Sequence, residues 1–306
     1  MPPNLKPFGV EQFTVFDFSF CLMSKQLLDE GAGFLARYPP EIALAKKCFD
    51  KALIDFPNEI TVLDASGAFY AEYEDESRAV SILMKSIEIQ PNGDPRTYFY
   101  LGQLSQGEQA LMFFKKGVQL ATSIDVKNAK LSALCSIGEL YMTPPLCDAP
   151  EAEEASENAF RQALAIESNN FEALVGLAGF LKVVGDLDEA KQCCLTALKR
   201  SDQDMIDEDE NECDLTDEPF PVRLNLARTL IDLEMASDAL DVLHGLLDED
   251  EEDIEVWYVA ACAHMLLKDT DSAKETIKHA KDLCRRSRQD KELWGASLDF
   301  LEKQIP

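Results

Sequence analysis

The chain has 306 residues, 46% of them hydrophobic, and its 29 Lys and Arg against 57 Asp and Glu give a net charge of −28. Such a negative field repels nucleic acid and anionic lipid headgroups and attracts basic proteins, so the composition argues against direct nucleic-acid or membrane binding and favours a cationic partner. The first 150 residues carry a net −6 and the remainder −22, which assigns most of the charge to the C-terminal half.

Residues 1–22 form a Phe-rich N-terminal extension whose structure the pattern leaves uncertain. Hydrophobic residues nearly alternate from Phe16 to Phe20, which is typical of a strand or of a partner-binding segment. A helical pattern begins at Met23, so the stretch could equally be an extension upstream of a natural start at that residue. Both interpretations stay open at this point.

Residues 23–306 repeat with a period of 34. The recurring pairs are Gly33 and Gly67, Ala45 and Ala79, Pro57 and Pro91, Ala227 and Ala261, and Ala239 and Ala273. That period is the signature of the tetratricopeptide repeat (TPR), a pair of antiparallel helices that buries its apolar faces only by stacking on its neighbours. We predict an all-α fold, a TPR superhelical solenoid of about seven helix pairs plus a C-terminal capping helix.

The predicted repeats follow one another with two irregularities. Their spans are 26–59, 60–93, 95–125, 131–168, 171–204, 220–253 and 254–287. The third is short, because Ala110 follows Gly102 by only eight positions, where the corresponding spacing in the earlier repeats is twelve. The fourth is expanded, because Pro144 and Pro145 must end its first helix.

Two features lie outside the repeats. Residues 202–218 carry ten acids and no base, so we predict an acidic insertion that is too polar to pack. After the last repeat, an amphipathic stripe of Leu293, Trp294, Leu298 and Leu301 is predicted to cap the stack.

No pattern for catalysis, metal binding or a cofactor emerges from the sequence. His244, His264 and His279 have no partners at ligand spacing, and the nine cysteines include no C-x-x-C pair. Phosphate-cradling glycine motifs and a nucleophile elbow are missing as well. We therefore predict a protein that is not an enzyme and needs no metal or cofactor, and its free cysteines suit a reducing cytosol or nucleus.

The inner face of the repeats is predicted to bind a basic client. Its candidate residues are Glu30, Asp64, Glu72, Phe99, Glu139, Glu172, Asp232, Glu255 and Tyr258. Carboxylates beside aromatic rings suit Arg and Lys, through charge-assisted hydrogen bonds and cation–π contacts. The alternative is that these acids form an ordinary solvated face. The fifth and ninth places of the first helices hold no Lys or Asn, so a clamp for the anionic tails of heat-shock chaperones is not expected.

Three stretches carry a narrower resemblance: Tyr100–Val118 with its shortened repeat, Ser136–Thr143 before an acidic insertion, and Glu252–Tyr258 after an acidic run. They resemble the dedicated TPR assembly chaperones of ribosomal protein uL-four, and the resemblance covers roughly residues 24–303. It implies a chaperone that binds the basic rRNA-binding loop of newly made uL-four in an acidic groove and protects it until its incorporation into the large pre-ribosomal subunit.

The resemblance also implies particular residues and locations. The matching positions are Glu139, Tyr141, Glu255, Trp257 and Tyr258, of which Tyr141 and Trp257 could serve in packing alone. It implies a protein of cytoplasm and nucleus, with the internal loop of uL-four as partner and a nuclear import receptor that could engage through the client. The residues alone leave open an acidic TPR adaptor or scaffold for another basic client, such as a histone or a subunit of a multiprotein complex.

Overall fold

The computed structural model describes the backbone of residues 15–199, 215–286 and 288–305. These residues contain fifteen α-helices and no β-strand. The chain divides into two compact units, residues 1–130 and 131–306. Over the described ranges, every helix is too short or too polar to cross a bilayer.

Unit 1 consists of three antiparallel helix pairs and a short 3₁₀ turn. The helices are α1 (Val15–Leu35), α2 (Ile42–Asp55), α3 (Ile60–Tyr73), α4 (Glu76–Ile89), α5 (Pro95–Gln103) and α6 (Gly107–Leu120). Phe49 of α2 stacks on Phe69 of α3 with ring centroids 4.7 Å apart, which joins the first pair to the second. Helix α5 has nine residues, as the shortened third repeat requires.

Unit 2 contains four further pairs and a last single helix. They are α7 (Lys127–Met142, whose first turn belongs to unit 1), α8 (Ala152–Ile166), α9 (Phe171–Val184), α10 (Leu187–Lys199), α11 (Phe220–Asp232), α12 (Ala236–Glu249), α13 (Ile254–Leu266), α14 (Thr270–Cys284) and α15 (Arg288–Gln304). Phe160 of α8 is fully buried between the glycine faces of α7 and α9. The predicted seven pairs and capping helix are thus confirmed among the described residues.

Short polar residues fix where many of the helices begin. Five helices start at a residue whose side chain accepts a hydrogen bond of 2.9–3.1 Å from a first-turn backbone N–H: Asp75, Asp94, Asn170, Asp253 and Asp269. Such caps satisfy donors that the helix itself leaves without partners. At the other end of α9, Gly185 adopts φ 92°, a left-handed conformation that glycine takes without a steric penalty.

The strand-like interpretation of the Phe-rich segment differs from the structure. Helix α1 begins at Val15, so residues 16–20 are helical and not strand-like. A strand needs a neighbouring strand for its backbone hydrogen bonds, and the described part of the chain offers none, whereas a helix pairs these groups internally. The predicted role of residues 1–14 lies outside the described residues.

The other two features outside the repeats have mixed outcomes. Most of the acidic insertion predicted at 202–218 lies outside the described residues, but Leu215 at its end is buried. In the capping helix, Leu298 and Leu301 are buried against α13 and α14 as predicted. Leu293 is exposed, so the stripe that packs is one residue narrower than the sequence suggests.

Candidate functional site

The predicted site residues of unit 1 do not form a common cleft: they either hydrogen-bond or pack within the unit, or lie exposed on its surface. Asp64 accepts hydrogen bonds from Ser86 Oγ at 2.5 Å and Thr97 Oγ1 at 2.8 Å, which links α3 to α4 and α5. Burial raises the pKa of Asp64, while these two hydrogen bonds oppose the rise. The carboxylate therefore has structural partners already.

The remaining three residues of unit 1 have separate environments. Glu30 is exposed on α1, and Glu72 accepts a hydrogen bond from the hydroxyl of Tyr100. Phe99 is buried, because the absence of a side chain at Gly117 lets its ring pack directly on α6. The prediction that Phe99 presents an aromatic face to a ligand is therefore wrong.

Unit 2 brings two of the predicted carboxylates together in one cleft. Glu139 of α7 and Glu172 of α9 line a cavity of about 220 Å³ that also touches α11. Its other lining residues are Met142, Val175, Gly176, Gly179, Lys182, Val222, Asn225, Arg228 and Thr229. Gly179 of α9, where a Cβ would meet no atom within 4 Å, leaves this cleft open, and we call it the Glu139–Glu172 cleft.

The environment of this cleft disfavours the ionised forms of Glu139 and Glu172. The pKa of Glu172 is raised to about 7, first by burial and then by the neighbouring charge of Glu139, against a hydrogen bond from Ser132. Glu218 adds a smaller repulsive contribution. Burial also raises the pKa of Glu139, although its side chain keeps contact with solvent. A cation entering the cleft would stabilise both ionised carboxylates.

A second cleft gathers the other three predicted residues of unit 2. Asp232, Glu255 and Tyr258 line a cavity of about 310 Å³ between α11, α13 and α15, which we call the Tyr258 cleft. The ring of Tyr258 lies 5.6 Å from that of Trp294, so one wall of the cleft is aromatic. The cleft thus combines two carboxylates with two aromatic rings, and its role in client binding stays a prediction.

Two cations of the protein itself occupy carboxylates of these clefts. Arg228 of α11 forms an ion pair with Glu255 of α13, and Lys182 Nζ of α9 lies 2.6 Å from Asp232 of α11. Arg228 lines both clefts. The sequence reasoning missed these cations because it searched the inner places for Lys and Asn, yet Arg228 stands at the ninth place of its repeat and signals them.

Of the positions carried over from the resemblance, two serve in packing. Tyr141 is buried within unit 2. The indole N–H of Trp257 donates to the carbonyl of Glu251 at 2.8 Å, and its ring lies 4.3 Å from that of His279. Among the described residues, no three His, Cys, Asp or Glu side chains are placed to hold a metal ion.

Comparison with known proteins gives the repeats a family. The tetratricopeptide repeat family model matches residues 254–286, which contain α13 and α14. A Schizosaccharomyces pombe protein named probable assembly chaperone of rpl4 is 32% identical over 234 residues, which are 71% of this chain and 66% of the relative. The chain belongs to this family of TPR assembly chaperones. It spans about two thirds of that relative's length.

A second curated relative and two solved structures are also similar to this chain. An Emericella nidulans protein of the same name is 25% identical over 277 residues, which are 86% of this chain and 70% of the relative. The solved structure of the assembly chaperone of RpL4 (Acl4) has a TM-score of 0.70 at 21% identity and covers 82% of this chain and 99% of its own. A TPR protein from Parabacteroides merdae has a TM-score of 0.56 at 13% identity, over 92% of this chain and all of its own.

These structural likenesses show a shared fold. The names of the curated relatives describe chaperones, which places this TPR chain among non-enzymatic proteins, as the sequence predicts.

Proposed function

We propose that this protein is a dedicated chaperone of ribosomal protein uL-four, which the names of its relatives call rpl4. It binds the basic internal loop of newly made uL-four against the acidic face of unit 2 and protects it until uL-four joins the large pre-ribosomal subunit. The observation that carries this proposal is the convergence of Glu139 and Glu172 in one cleft, where burial and mutual repulsion raise the pKa of Glu172.

A basic chain segment would supply ion pairs for Glu139 and Glu172, because the two cations in the lining of this cleft, Lys182 and Arg228, pair with Asp232 and Glu255 instead. Within the described structure neither Glu139 nor Glu172 forms an ion pair, so an Arg or Lys of a client would be their first direct counter-charge. Exposed ion pairs contribute only about 0.5 kcal/mol each. Tight binding therefore requires several cations at once, together with apolar contacts such as those offered by Tyr258 and Trp294 in the neighbouring cleft.

The mechanism needs no chemical step. The carboxylates stand in for rRNA phosphates, since a free basic loop would bind RNA indiscriminately or aggregate. Release follows when rRNA, whose charge is denser, competes for the same cations. The protein would accompany uL-four from cytoplasm to nucleus, and an import receptor could reach the complex through basic signals of the client.

A competition experiment tests the identity of the client. The full-length protein is titrated in a calorimeter with the recombinant internal loop of uL-four, and separately with a histone-tail peptide of equal length and net charge. We expect tighter binding of the uL-four loop, because the clefts also select for shape and apolar contacts. Equal affinity for both would favour the acidic adaptor instead, and a failure to bind the loop at low salt would reject uL-four as client.

A further inference from the structure

The two internal ion pairs of unit 2 link successive first helices of the repeats. Lys182 of α9 contacts Asp232 of α11, and Arg228 of α11 contacts Glu255 of α13. All four side chains keep substantial solvent contact, with exposed fractions from 28% to 54%. The pairs are therefore accessible to a competing ligand.

We propose that Arg228 and Lys182 are resident cations, which occupy Glu255 and Asp232 while no ligand is bound and thereby set the charge density that a ligand needs. The inference builds on the proposed function, because it takes the ligand to be a basic chain segment. It goes further in assigning specificity to the protein's own positive charges. On this account the clefts reject sparsely charged chains and admit densely charged ones.

The energetics of exchange explain this selection. When a single Lys or Arg of a ligand replaces a resident cation, one exposed ion pair is exchanged for another and the net gain is near zero. A ligand with several clustered arginines binds many carboxylates at once, because each further contact is intramolecular after the first. Bidentate Arg–carboxylate geometry adds to this advantage. The resident cations thus reduce the affinity for ligands with few positive charges more than the affinity for ligands with clustered arginines.

The position of Arg228 gives the displaced side chain another partner. Arg228 lines both clefts, so when a ligand takes Glu255 its guanidinium remains beside the cleft that holds Glu139 and Glu172. One of its guanidinium nitrogens already donates to the side chain of Asn225 at 3.2 Å, which holds it on the surface of α11. Displacement therefore does not leave the cation without anionic neighbours.

The test uses full-length Arg228→Gln, Lys182→Gln and the double variant. The probes are nona-arginine and a peptide of the same length with two arginines among Gly and Ser. Each substitution is expected to tighten binding about two- to fivefold, the range that one exposed ion pair supports. The gain should be larger for the sparse peptide than for nona-arginine.

Arg161→Gln is the matched control. Arg161 is 44% exposed, close to the 43% of Arg228, and pairs with Glu157 and Glu189 on α8 and α10. Arg161 lines neither cleft. The Arg161→Gln substitution therefore removes one positive charge from unit 2, as Arg228→Gln does, but frees no carboxylate of a cleft. A gain with Arg228→Gln no larger than with Arg161→Gln would overturn the inference, and so would weaker binding.

The outcomes separate this inference from the proposed function. If wild-type protein does not bind the uL-four loop but Arg228→Gln and Lys182→Gln still gain on nona-arginine, uL-four is rejected and the resident cations stand. If the loop binds and neither variant gains, the resident cations are rejected alone. Failure of every chain to bind nona-arginine overturns the inference. Lys182→Gln gives the same readout from α9 should Arg228→Gln lose its helical circular dichroism.

Discussion

Arg223 and Glu249 form a two-point ion pair, in which Nη1 and Nη2 of the guanidinium each lie 2.6 Å from one carboxylate oxygen. Only 4% of the Arg223 side chain is exposed. The pair joins the first turn of α11 to the end of α12 and closes the sixth helix pair. Arg223 occupies the place that Trp257 takes 34 residues later, so a charged fork replaces an indole in one repeat.

Glu249→Gln is expected to destabilise the protein by about 2 kcal/mol, because it leaves a buried guanidinium without its counter-charge. Urea unfolding followed by circular dichroism measures the change. Asp248→Asn, at the exposed neighbouring position, is the control and should change stability by less than about 0.5 kcal/mol. Equal effects of the two substitutions would show that the ion pair contributes little.

Two glycines of α9 should respond in opposite directions to alanine. A Cβ at Gly176 would lie 2.2 Å from the ring of buried Phe160, whereas a Cβ at Gly179 would meet no atom within 4 Å. Gly176→Ala should therefore destabilise by roughly 1–3 kcal/mol through overpacking. Gly179→Ala should stabilise by up to about 1 kcal/mol through helix propensity. Thermal unfolding of both variants checks the signs, and a stabilising Gly176→Ala would contradict the packing.

The raised pKa of Glu172 predicts a pH dependence of stability. In the folded chain its pKa is about 7, above the ordinary value of 4.5, so the folded state favours the protonated form. The resulting stabilisation is complete below about pH 4.5 and is lost as the pH rises through about 7. The groups that face it, Glu139 and Glu218, are acidic and oppose its ionisation.

Glu172→Gln stays neutral and should lose less stability than the wild type between about pH 5 and pH 8. The measurement is urea unfolding of both chains across this range, with Glu275→Gln on the exposed face of α14 as control. Parallel stability curves for Glu172→Gln and the wild type would contradict the raised pKa of Glu172.

The fold was predictable because the packing of helix pairs requires small residues at fixed intervals in the sequence. Ala239 and Ala273 lie at the same place of α12 and α14, and both are fully buried. The shortened α5 could also be predicted from the spacing of only eight positions from Gly102 to Ala110. Such features depend on one helix pair at a time, and the 34-residue period repeats them.

The site was predictable only in part, because side-chain partners depend on neighbouring helices. All five residues that the inner-face pattern named in unit 2 line one of its two clefts. The pattern misplaced Phe99, whose direction depends on the space that Gly117 leaves on α6. It also missed the ion pair between Arg228 and Glu255, which lie 27 residues apart in the sequence. This contact forms because two successive repeats stack on each other, and no local sequence motif indicates it.

The measurement that tests the central claim most directly is calorimetric titration of full-length protein with the internal loop of uL-four at low and high salt. It compares the wild type, Glu139→Gln/Glu172→Gln, and the control Asp241→Asn/Glu275→Gln, which removes two exposed charges on α12 and α14. We predict salt-weakened binding to the wild type and control, and a loss of at least about tenfold in the Glu139 and Glu172 variant. Salt-insensitive binding, or equal affinity of the two double variants, would contradict the claim that Glu139 and Glu172 bind the basic loop through their charge.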